Sequence, residues 1–431
     1  MKILLIGNGA REHAIAYKLK ENKEVELFVF ASANNPGILK LATEIKIGDL
    51  EDVPAILDYA KKIKPNYAWI GPEAPLAAGV VDELAKINIP AVGPVKELAK
   101  LETSKSFTRD LLVKNNILAY PKYKTFVSEE GLEEFCSSLE KFVVKPDGLT
   151  GGKGVKVQDD HFQSANEGIN YAKECLQKDG KVIIEEKLIG QEFSLMSFAD
   201  GKHLAHMPAV QDHKRALVGD KGPNTGGMGS YSCANSSMPF LKVGDIEEAQ
   251  KINQQVLEAL GDYRGVLYGN FITTKNGLKI IEYNARLGDP EAMNVLLVLK
   301  TDLAQIGQAI VDGALDKLNV EFENKATVCK YVVPEGYPEK PVKNQAIDVS
   351  KVDQNKVKLF YASVDLKDNQ IILKGSRAIG VIAKADTLEE AEKIVEQEII
   401  KIKGPVFHRE DIGTNALIDK RVKMMEEIRN G

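Results

Sequence analysis

The chain has 431 residues, of which 44% are hydrophobic, and this length can form the cores of roughly two to four domains. Its 57 Lys and Arg residues against 62 Asp and Glu residues give a net charge of -5, which argues against a non-specific nucleic-acid binder. The four cysteines are far apart and no segment has the apolar length of a signal peptide or a membrane span, so we expect a cytoplasmic protein without nucleic-acid or membrane partners.

The N-terminal segment predicts a doubly wound parallel sheet over residues 1–104. The first 20 residues change from an apolar run to a helical pattern across a glycine-containing turn, as in a strand, a turn and a helix. Further apolar runs at 25–30, 67–70 and 89–92 each end near glycine or proline, as parallel strands do where loops gather at their carboxyl ends. A ligand site is therefore expected at that edge.

The first turn, Gly7-Asn8-Gly9, is a candidate site for a monophosphate. Glu12 stands where the dinucleotide fingerprint has its third glycine, which disfavours an NAD site. The first N–H groups of a helix have no partner inside it, so we expect Gly9 to face a phosphate. Glu73, which follows another predicted strand, is expected at the same edge, where its carboxylate could accept hydrogen bonds from ribose hydroxyls.

Residues 141–157, KFVVKPDGLTGGKGVKV, predict a hairpin with an anion-binding tip. Glycine lets backbone N–H groups approach a phosphate, and lysine supplies a mobile positive charge. The P-loop motif does not fit, because Gly154 follows Lys153 and the chain continues as a strand. A hairpin without a ligand is the alternative. The candidate phosphate-binding residues are Lys145, Gly148, Gly151, Gly152, Lys153 and Gly154.

The segments around this hairpin predict a small α+β lid over about residues 122–190. A helical stretch from Lys105, the strand-like PKYKTF and the helix-like SEEGLEEFCSSLE precede the hairpin, and a strand at 181–186 follows it. A second alternating strand runs from Glu192 to Ala199.

Residues 203–232 lose periodicity and predict a long flexible loop, of the kind that often carries function. His203, His206 and His213 lie in this loop. No carboxylate spacing completes a zinc set with them, so we do not expect a metal site there.

A second decisive stretch, LKIIEYNARLGDPE, places an acid, an amide and a guanidinium on one face of a predicted strand. Glu282, Asn284 and Arg286 alternate along it, so their side chains project to the same side. Asp289, followed by proline, predicts the N-cap of a helix. Carboxylate and amide oxygens suit Mg²⁺ or Mn²⁺, and arginine suits a carboxylate or phosphate. An exposed strand face without a ligand is the alternative.

The last part of the chain predicts a compact α+β domain. Strands are expected at 327–333, 358–364 and 378–383, with an amphipathic helix at 387–402. Arg377 and the FHREDIG stretch, 407–413, could reach an adjacent site.

Taken together, these stretches resemble the phosphoribosylamine-glycine ligase family of the ATP-grasp superfamily over nearly the whole chain. The resemblance is carried by GNGAREHA, IGPEAPL, TSKSFTRD, FVVKPDGLTGGKGV, VIIEEKLIGQEFS, QDHKRALVGDKGPNTGGMGSY and EYNARLGDPE. The RLGDPE run and the QDHKR to NTGGMG loop are its most specific parts. Ala10 replaces a usual glycine, and Pro146, Thr150 and Gly151 replace usual alanines, but no charged group is lost.

The resemblance implies an N-terminal substrate-binding domain at 1–104, central ATP-grasp lobes at 105–325 and a C-terminal α+β domain at 326–431. It implies a cytoplasmic, monomeric ligase of purine biosynthesis that joins glycine to 5-phosphoribosylamine with ATP and Mg²⁺ or Mn²⁺. An ATP-grasp carboxylase, another carboxylate-amine ligase and a non-catalytic nucleotide sensor are the alternatives.

The resemblance also implies roles for individual residues. Lys105, Lys145 and the hairpin would bind the phosphates of ATP, while Glu185, Glu186 and Leu188 would frame adenine and Glu192 would bind ribose. Glu282 and Asn284 would hold the metal. The expected catalytic residues are Arg286, Lys214 and Asp212, and the expected substrate residues are Gly9, Glu73, Asn224, Thr225, Gly226 and Asp289.

Overall fold

The computed structural model describes residues 1–149 and 154–431. Its N-terminal part has the strands β1 Lys2–Ile6, β2 Glu26–Ala31, β3 Glu44–Ile47, β4 Tyr67–Ile70 and β5 Ala91–Val92, and the helices α1 Ala10–Leu19, α2 Pro36–Leu39, α3 Val53–Ile63, α4 Glu73–Ala78, α5 Val80–Lys86 and α6 Lys96–Thr103. The strands form one parallel sheet in the order β3-β2-β1-β4-β5. The predicted doubly wound sheet is confirmed.

Strand β1 shows why helices cover both faces of this sheet. Leu4 and Ile6 pack into one buried cluster, which includes Ile56 of α3, whereas Ile3 and Leu5 pack into another, which includes Ile15 of α1. Successive side chains of a strand point to opposite faces, so a continuous apolar run needs a cover on each side.

The lid has its own small sheet and core. Its elements, after the helix α7 Lys105–Lys114, are β6 Tyr123–Phe126, α8 Leu132–Ser137, β7 Phe142–Pro146, β8 Lys156–Val157, α9 Ala165–Asp179 and β9 Val182–Glu186. The sheet order is β6-β9-β7-β8. The predicted hairpin is confirmed, because Val143 pairs with Val157 and Val144 with Lys156 in antiparallel register. The predicted phosphate residues Gly151, Gly152 and Lys153 lie outside the described residues.

The central part contains β10 Gln191–Asp200, β11 Leu204–His206, β12 Gln211–Asp212, β13 Arg215–Leu217, β14 Lys221–Asn224, β15 Gly229–Ser232, α10 Asp245–Leu260, β16 Arg264–Thr274, β17 Gly277–Asn284, α11 Glu291–Val298 and α12 Leu303–Asp312. Strands β11-β10-β16-β17 form an antiparallel sheet. The prediction of a long flexible loop at 203–232 is wrong, because this segment contains five short strands. Strands of two to four residues are too short to show alternation in a sequence.

The C-terminal part consists of β18 Ala326–Pro334, β19 Ala346–Ile347, β20 Lys358–Tyr361, β21 Val364–Lys367, β22 Gln370–Leu373, β23 Ile379–Ala385, α13 Leu388–Ile399, β24 Val406–Phe407 and α14 Asn415–Asn430. The predicted α+β class is confirmed. Its main sheet, in the order β12-β15-β18-β23-β20, includes two strands from the central part. Within the ranges that the structure describes, no helix has the length and apolarity needed to cross a membrane.

Gly190, which precedes β10, lies against the backbone of β16. A Cβ at this position would stand 1.8 Å from the carbonyl oxygen of Thr273. We expect Gly190→Ala to lower the free energy of unfolding by about 2 kcal/mol or more, because a backbone atom cannot move aside as a side chain can. Urea unfolding followed by circular dichroism measures this change.

Gly180→Ala is the control for this substitution. An added Cβ at Gly180 meets nothing within 4 Å, and only its φ of +70° opposes a side chain. This variant should lose about 1 kcal/mol. Equal losses in the two variants would contradict the proposed contact with Thr273.

Candidate active site

A cavity of about 580 Å³ lies between the lid, the central sheet and the β13–β14 hairpin. It gathers residues from motifs that are far apart in the sequence. The predicted site residues on its wall are Glu73, Lys105, Lys145, Gly148, Glu185, Glu186, Leu188, Glu192, Asp212, Lys214, Asn224, Thr225, Gly226, Glu282, Asn284, Arg286 and Asp289. Of the predicted site residues that the structure describes, Gly9 and Gly154 are not on this wall.

A buried carboxylate fixes one of the predicted phosphate lysines. Glu185 accepts hydrogen bonds from Arg109 at 2.7 and 3.0 Å and lies 2.7 Å from Lys145 Nζ. Burial alone would raise the pKa of Glu185, but Arg109 and Lys145 lower it to about 2. The carboxylate of Glu185 is therefore engaged in holding Lys145 at the cavity wall.

The first residues of α7 anchor the hairpin where its tip begins. Asp147 accepts hydrogen bonds from the hydroxyls of Ser104 and Ser106, at 3.1 and 2.6 Å. Lys105 Nζ donates to the carbonyl oxygen of Gly148 at 2.8 Å. Burial lowers the pKa of Lys105. The amine of Lys105 thus lies beside the backbone that leads into the glycine-rich tip.

Glu282 and Asn284 lie near the end of β17, opposite Asn270 and Tyr268 of β16. Both line the cavity, as predicted. Burial would raise the pKa of Glu282, but nearby lysines, Lys214 first among them, lower it. Glu282 is therefore a carboxylate among positive charges. Its distance from Lys214 Nζ is 3.9 Å.

Two carboxylates face each other beside Lys214. Burial and the neighbouring Glu291 raise the pKa of Asp212 well above its ordinary value. Glu291 accepts a hydrogen bond from Tyr268 Oη at 2.5 Å. Lys214 Nζ also lies 3.7 Å from Glu192. The site therefore has an acidic pair, Asp212 and Glu291, and a lysine, Lys214, that lies beside two other carboxylates, Glu192 and Glu282.

The guanidinium of Arg286 is paired with two carboxylates, so it is less available to a ligand than its predicted position on a strand indicated. Strand β17 ends at Asn284, and Arg286 Nη2 lies 2.8 Å from Glu102 and its Nε 3.4 Å from Glu73. Burial would raise the pKa of Glu73, but Arg286 and Arg11 lower it to about 2. Arg286 therefore joins the N-terminal part of the chain to the end of β17, and its guanidinium is already paired.

The prediction that Asp289 caps a helix is wrong. Helix α11 begins at Glu291, and no side-chain hydrogen bond caps it. The carboxylate of Asp289 instead accepts from Tyr331 Oη at 2.5 Å and lies 3.2 Å from Arg377. Arg377 and Tyr331 of the C-terminal part therefore bind the carboxylate that the local sequence pattern assigned to the helix N-cap.

The backbone N–H of Gly9 also has a hydrogen-bond partner that was not predicted from the sequence. Its N–H donates to Glu12 Oε2 at 2.6 Å, so this group already has a partner within the chain. A Cβ at Gly7, Gly9 or Gly71 would contact the side chain of Glu12, which therefore fills the turn. The spacing Gly9-x-x-Glu12 is that of a capping box, and this signal could have revealed the bond.

Further polar residues on the cavity wall were not anticipated as site residues. Among them are Glu102, Arg109, Gln211, His213, Tyr268, Glu291 and Arg421. Arg109, Gln211, His213 and Glu291 lie within the quoted motifs TSKSFTRD, QDHKR and EYNARLGDPE, whereas Glu102, Tyr268 and Arg421 lie outside them. The three histidines of segment 203–232 contact different partners, since His203 bonds to Asp200, His206 to Ser197 and His213 to Gly229.

Comparison with known proteins places these features in one family. Residues 1–102 match the N domain of phosphoribosylglycinamide synthetase, residues 103–292 its ATP-grasp (A) domain and residues 327–415 its C domain. The chain belongs to the phosphoribosylglycinamide synthetase family. The predicted family resemblance is thus confirmed over most of the sequence.

Relatives and solved structures agree with this family over the full chain. The phosphoribosylamine–glycine ligase of Methanocaldococcus jannaschii is 50% identical over 100% of both chains, and that of Methanococcus vannielii is 49% identical over 99% of this chain and 100% of the relative. The crystal structure of the Thermotoga maritima ligase has a TM-score of 0.80 at 26% identity and covers 95% of this chain and 100% of that one.

A more distant neighbour has the same fold with another named activity. The biotin carboxylase domain of the Hydrogenobacter thermophilus 2-oxoglutarate carboxylase has a TM-score of 0.74 at 12% identity and covers 100% of this chain and 95% of that one. This likeness concerns the fold alone. The predicted central ATP-grasp architecture is confirmed.

The pairing of Glu185 predicts a dependence of stability on pH. Its folded pKa of about 2 lies below the unfolded value of about 4.3, so its stabilising effect is complete above the unfolded pKa and is lost as the pH falls toward 2. We expect Glu185→Gln to lower the free energy of unfolding by roughly 3 kcal/mol at pH 7, because Arg109 and Lys145 lose their counter-charge. This difference should shrink below about pH 4.

Urea unfolding of the wild type and Glu185→Gln between pH 2.5 and pH 7 measures this effect. Glu130→Gln, in which an exposed carboxylate of the lid is neutralised, is the control and should follow the wild type. A difference between Glu185→Gln and the wild type that stays constant over this range would refute the assigned pairing.

Proposed function

We propose that this cavity joins glycine to 5-phospho-β-D-ribosylamine with conversion of ATP to ADP and phosphate. The product is N1-(5-phospho-D-ribosyl)glycinamide, an intermediate of purine (IMP) biosynthesis. One observation carries the proposal: residues taken from separate motifs of the phosphoribosylglycinamide synthetase family, among them Lys105, Lys145, Glu192 and Glu282, line a single cavity.

The phosphates of ATP would lie between the hairpin and α7. Lys105 and Lys145 supply positive charge there, and Glu185 holds Lys145 in place. Gly148, Gly151, Gly152, Lys153 and Gly154 complete the proposed phosphate residues. Segment 185–188 would frame adenine, with Glu186 and Leu188 on the wall, and Glu192 would accept hydrogen bonds from the ribose hydroxyls. This arrangement stabilises the charge of the transferred group without a covalent nucleophile.

Glu282 and Asn284 fit a hard divalent cation. Both offer oxygen atoms on the cavity wall, and Glu282 is kept ionised by its lysine neighbours. We propose that they hold Mg²⁺ or Mn²⁺. A bound ion would supply charge neutralisation at the phosphate oxygens during transfer.

The acidic pair of Asp212 and Glu291 suits the ammonium group of glycine. Burial and the charge of Glu291 raise the pKa of Asp212, and a cation between the two carboxylates would relieve their repulsion. Lys214 adds positive charge beside this pair, and Arg286 does so from its position between Glu102 and Glu73. These groups would position glycine and stabilise negative charge on the reacting oxygens.

The reaction then has two balanced steps. The carboxylate of glycine attacks the γ-phosphate, so that ADP leaves and glycyl phosphate forms. The amine of phosphoribosylamine attacks the carbonyl carbon of this intermediate, phosphate leaves, and the nitrogen loses a proton. Positioning and charge stabilisation supply the catalysis in both steps.

Phosphoribosylamine would enter from the N-terminal side of the cavity. Glu73 lies on the wall there, and Asn224, Thr225 and Gly226 face the same space with Asp289. Thr225 Oγ1 donates to the carbonyl oxygen of Lys214 at 2.8 Å, which ties this segment to the acidic pair. Gly9 would act only indirectly, because its N–H is bound to Glu12.

Three further features belong to the same proposal: the cellular location, the oligomeric state and the domain boundaries. The chain would act in the cytoplasm and as a monomer, with its domains divided at 104/105 and 325/326. Size-exclusion chromatography with light scattering tests the monomer, since a stable mass of twice 47.3 kDa would refute it.

Mass spectrometry of the product tests the proposed reaction directly. We expect glycinamide ribonucleotide, formed in equal amount to ADP, when the protein receives ATP, glycine and freshly generated phosphoribosylamine. Replacing glycine by other amino acids or bicarbonate tests an alternative ligase or carboxylase. Nucleotide binding without ADP release with any of these acceptors would identify a sensor and overturn the proposal.

Removal of the carboxylate at position 282 tests the metal assignment. We expect Glu282→Ala to lower kcat by about 100-fold or more, because a metal ligand is lost beside the transferred phosphate. Lys279→Ala, on the same strand, is the control, since Lys279 bonds to the carbonyl oxygen of Leu118. Unchanged turnover of Glu282→Ala at ordinary Mg²⁺ concentration would remove Glu282 from the metal site.

A further inference from the structure

The β13–β14 hairpin, residues 215–224, contacts the lid through some of its residues and the C-terminal segment through others. We propose that this hairpin is a latch that holds the lid over the nucleotide, and that Arg409 and Arg421 position the latch. The inference rests on the proposed function, because the latch acts on a nucleotide bound in the cavity. It assigns roles to residues outside the glycine-rich tip of the β7–β8 hairpin and outside the proposed metal ligands, Glu282 and Asn284.

On the lid side, two residues of the hairpin reach residues that follow β8. Arg215 Nη2 lies 3.2 Å from Asp160 Oδ2, and Asn224 Nδ2 lies 3.4 Å from His161 Nε2. All four residues line the cavity. These contacts therefore close the wall of the cavity between the lid and the central part of the chain.

On the other side, the turn of the hairpin is bound to the C-terminal segment. Asp220 accepts hydrogen bonds from Arg409 at 3.1 Å and from Arg421 at 2.5 Å. Arg409 also donates to the carbonyl oxygen of Arg215 at 3.0 Å. The N–H of Gly219 donates to Asp411 at 2.9 Å. The hairpin is thus fixed at its turn, while its first and last residues meet the lid.

The lid is held to the rest of the chain at a second place by different residues. Ser104 and Ser106 bond to Asp147, and Arg109 bonds to Glu185. These contacts involve α7, which leads directly into the lid. The hairpin contacts instead join the lid to a segment that comes after it in the chain. A lid held at two places can open when only the second set of contacts breaks, and it closes when these contacts form again.

The exposure of the two sets of contacts fits a fixed latch with a reversible grip. The side chain of Arg409 is 1% exposed, and those of Asp220 and Arg421 are 22% and 15% exposed. Asp160 is 44% exposed, so its pair with Arg215 is partly solvated. Loss of such a pair should change the dissociation rate of the nucleotide by only about twofold to fivefold. A weak grip of this kind lets the lid open to release ADP.

A double-mutant cycle on Asp160 and Arg215 tests the grip. We expect Asp160→Asn and Arg215→Gln each to raise the dissociation rate of a fluorescent ADP analogue by about twofold to fivefold, and the double variant to do no more than either alone. The control is Glu174→Gln, because Glu174 is an exposed carboxylate on the lid helix α9. This control should release the analogue at the wild-type rate.

Three results would overturn the latch: no effect of either single variant, additive effects in the double variant, or an equal effect of Glu174→Gln. The binding measurement needs no turnover, so it is independent of the ligase assay. A wild type that binds the analogue but makes no glycinamide ribonucleotide would refute the proposed function and leave the cycle valid. A wild type that binds no nucleotide would refute both.

Hydrogen exchange of the nucleotide-free protein tests the positioning role. We expect Arg421→Gln to speed exchange at residues 218–222, because the turn loses a charged partner. Lys423→Gln, an exposed position of the same helix, should leave exchange there unchanged, and Arg421→Lys should restore part of the protection. Wild-type exchange in Arg421→Gln would show that Arg421 does not hold the hairpin.

Discussion

One buried carboxylate connects the lid to strand β17, which carries the proposed metal ligands Glu282 and Asn284. Glu185 bonds to Arg109 and Lys145, and both of these donate to the carbonyl oxygen of Ile281, at 2.7 and 3.3 Å. Glu282 is the next residue along β17. The position of Lys145 relative to Glu282 therefore depends on a single ionised group, whose burial is tolerable only because two cations surround it.

The protein as a whole is mildly acidic, yet its cavity places cations next to anions throughout. Lys214 lies between Glu192 and Glu282, and Arg286 lies between Glu73 and Glu102. Each of these six charges has an opposite neighbour within 4 Å, which weakens the long-range field that they produce together. An anionic nucleotide must therefore be recognised by local exchange of these partners rather than by long-range attraction, which agrees with the overall net charge of -5.

The sequence predicted several buried apolar strands, but it did not predict the long elements α9, α10 and β16 or the short and exposed ones. Strands β1, β7 and β18 are long apolar runs, whereas β3 is largely exposed and its residues lack such a run. Helix α14 buries few residues and was not predicted. For the site, motifs identified the cavity residues, because they are contiguous in sequence. The pairings of Arg109 with Glu185 and of Glu102 with Arg286 could not be predicted, since only the tertiary fold brings these residues together.

The C-terminal part contributes few residues to the cavity wall, but its arginines hold much of segment 212–229 in place. This segment carries Asp212 and Lys214. Arg377 donates to the carbonyl oxygens of Gly226, Gly227 and Asp289, and Arg409 donates to that of Arg215. Short strands cannot satisfy their backbone groups alone, and a guanidinium can serve several acceptors at once, which an ammonium group cannot do in a planar arrangement. The C-terminal arginines therefore replace the regular hydrogen bonding that this segment lacks, so the geometry of the acidic pair depends on residues distant from it in sequence.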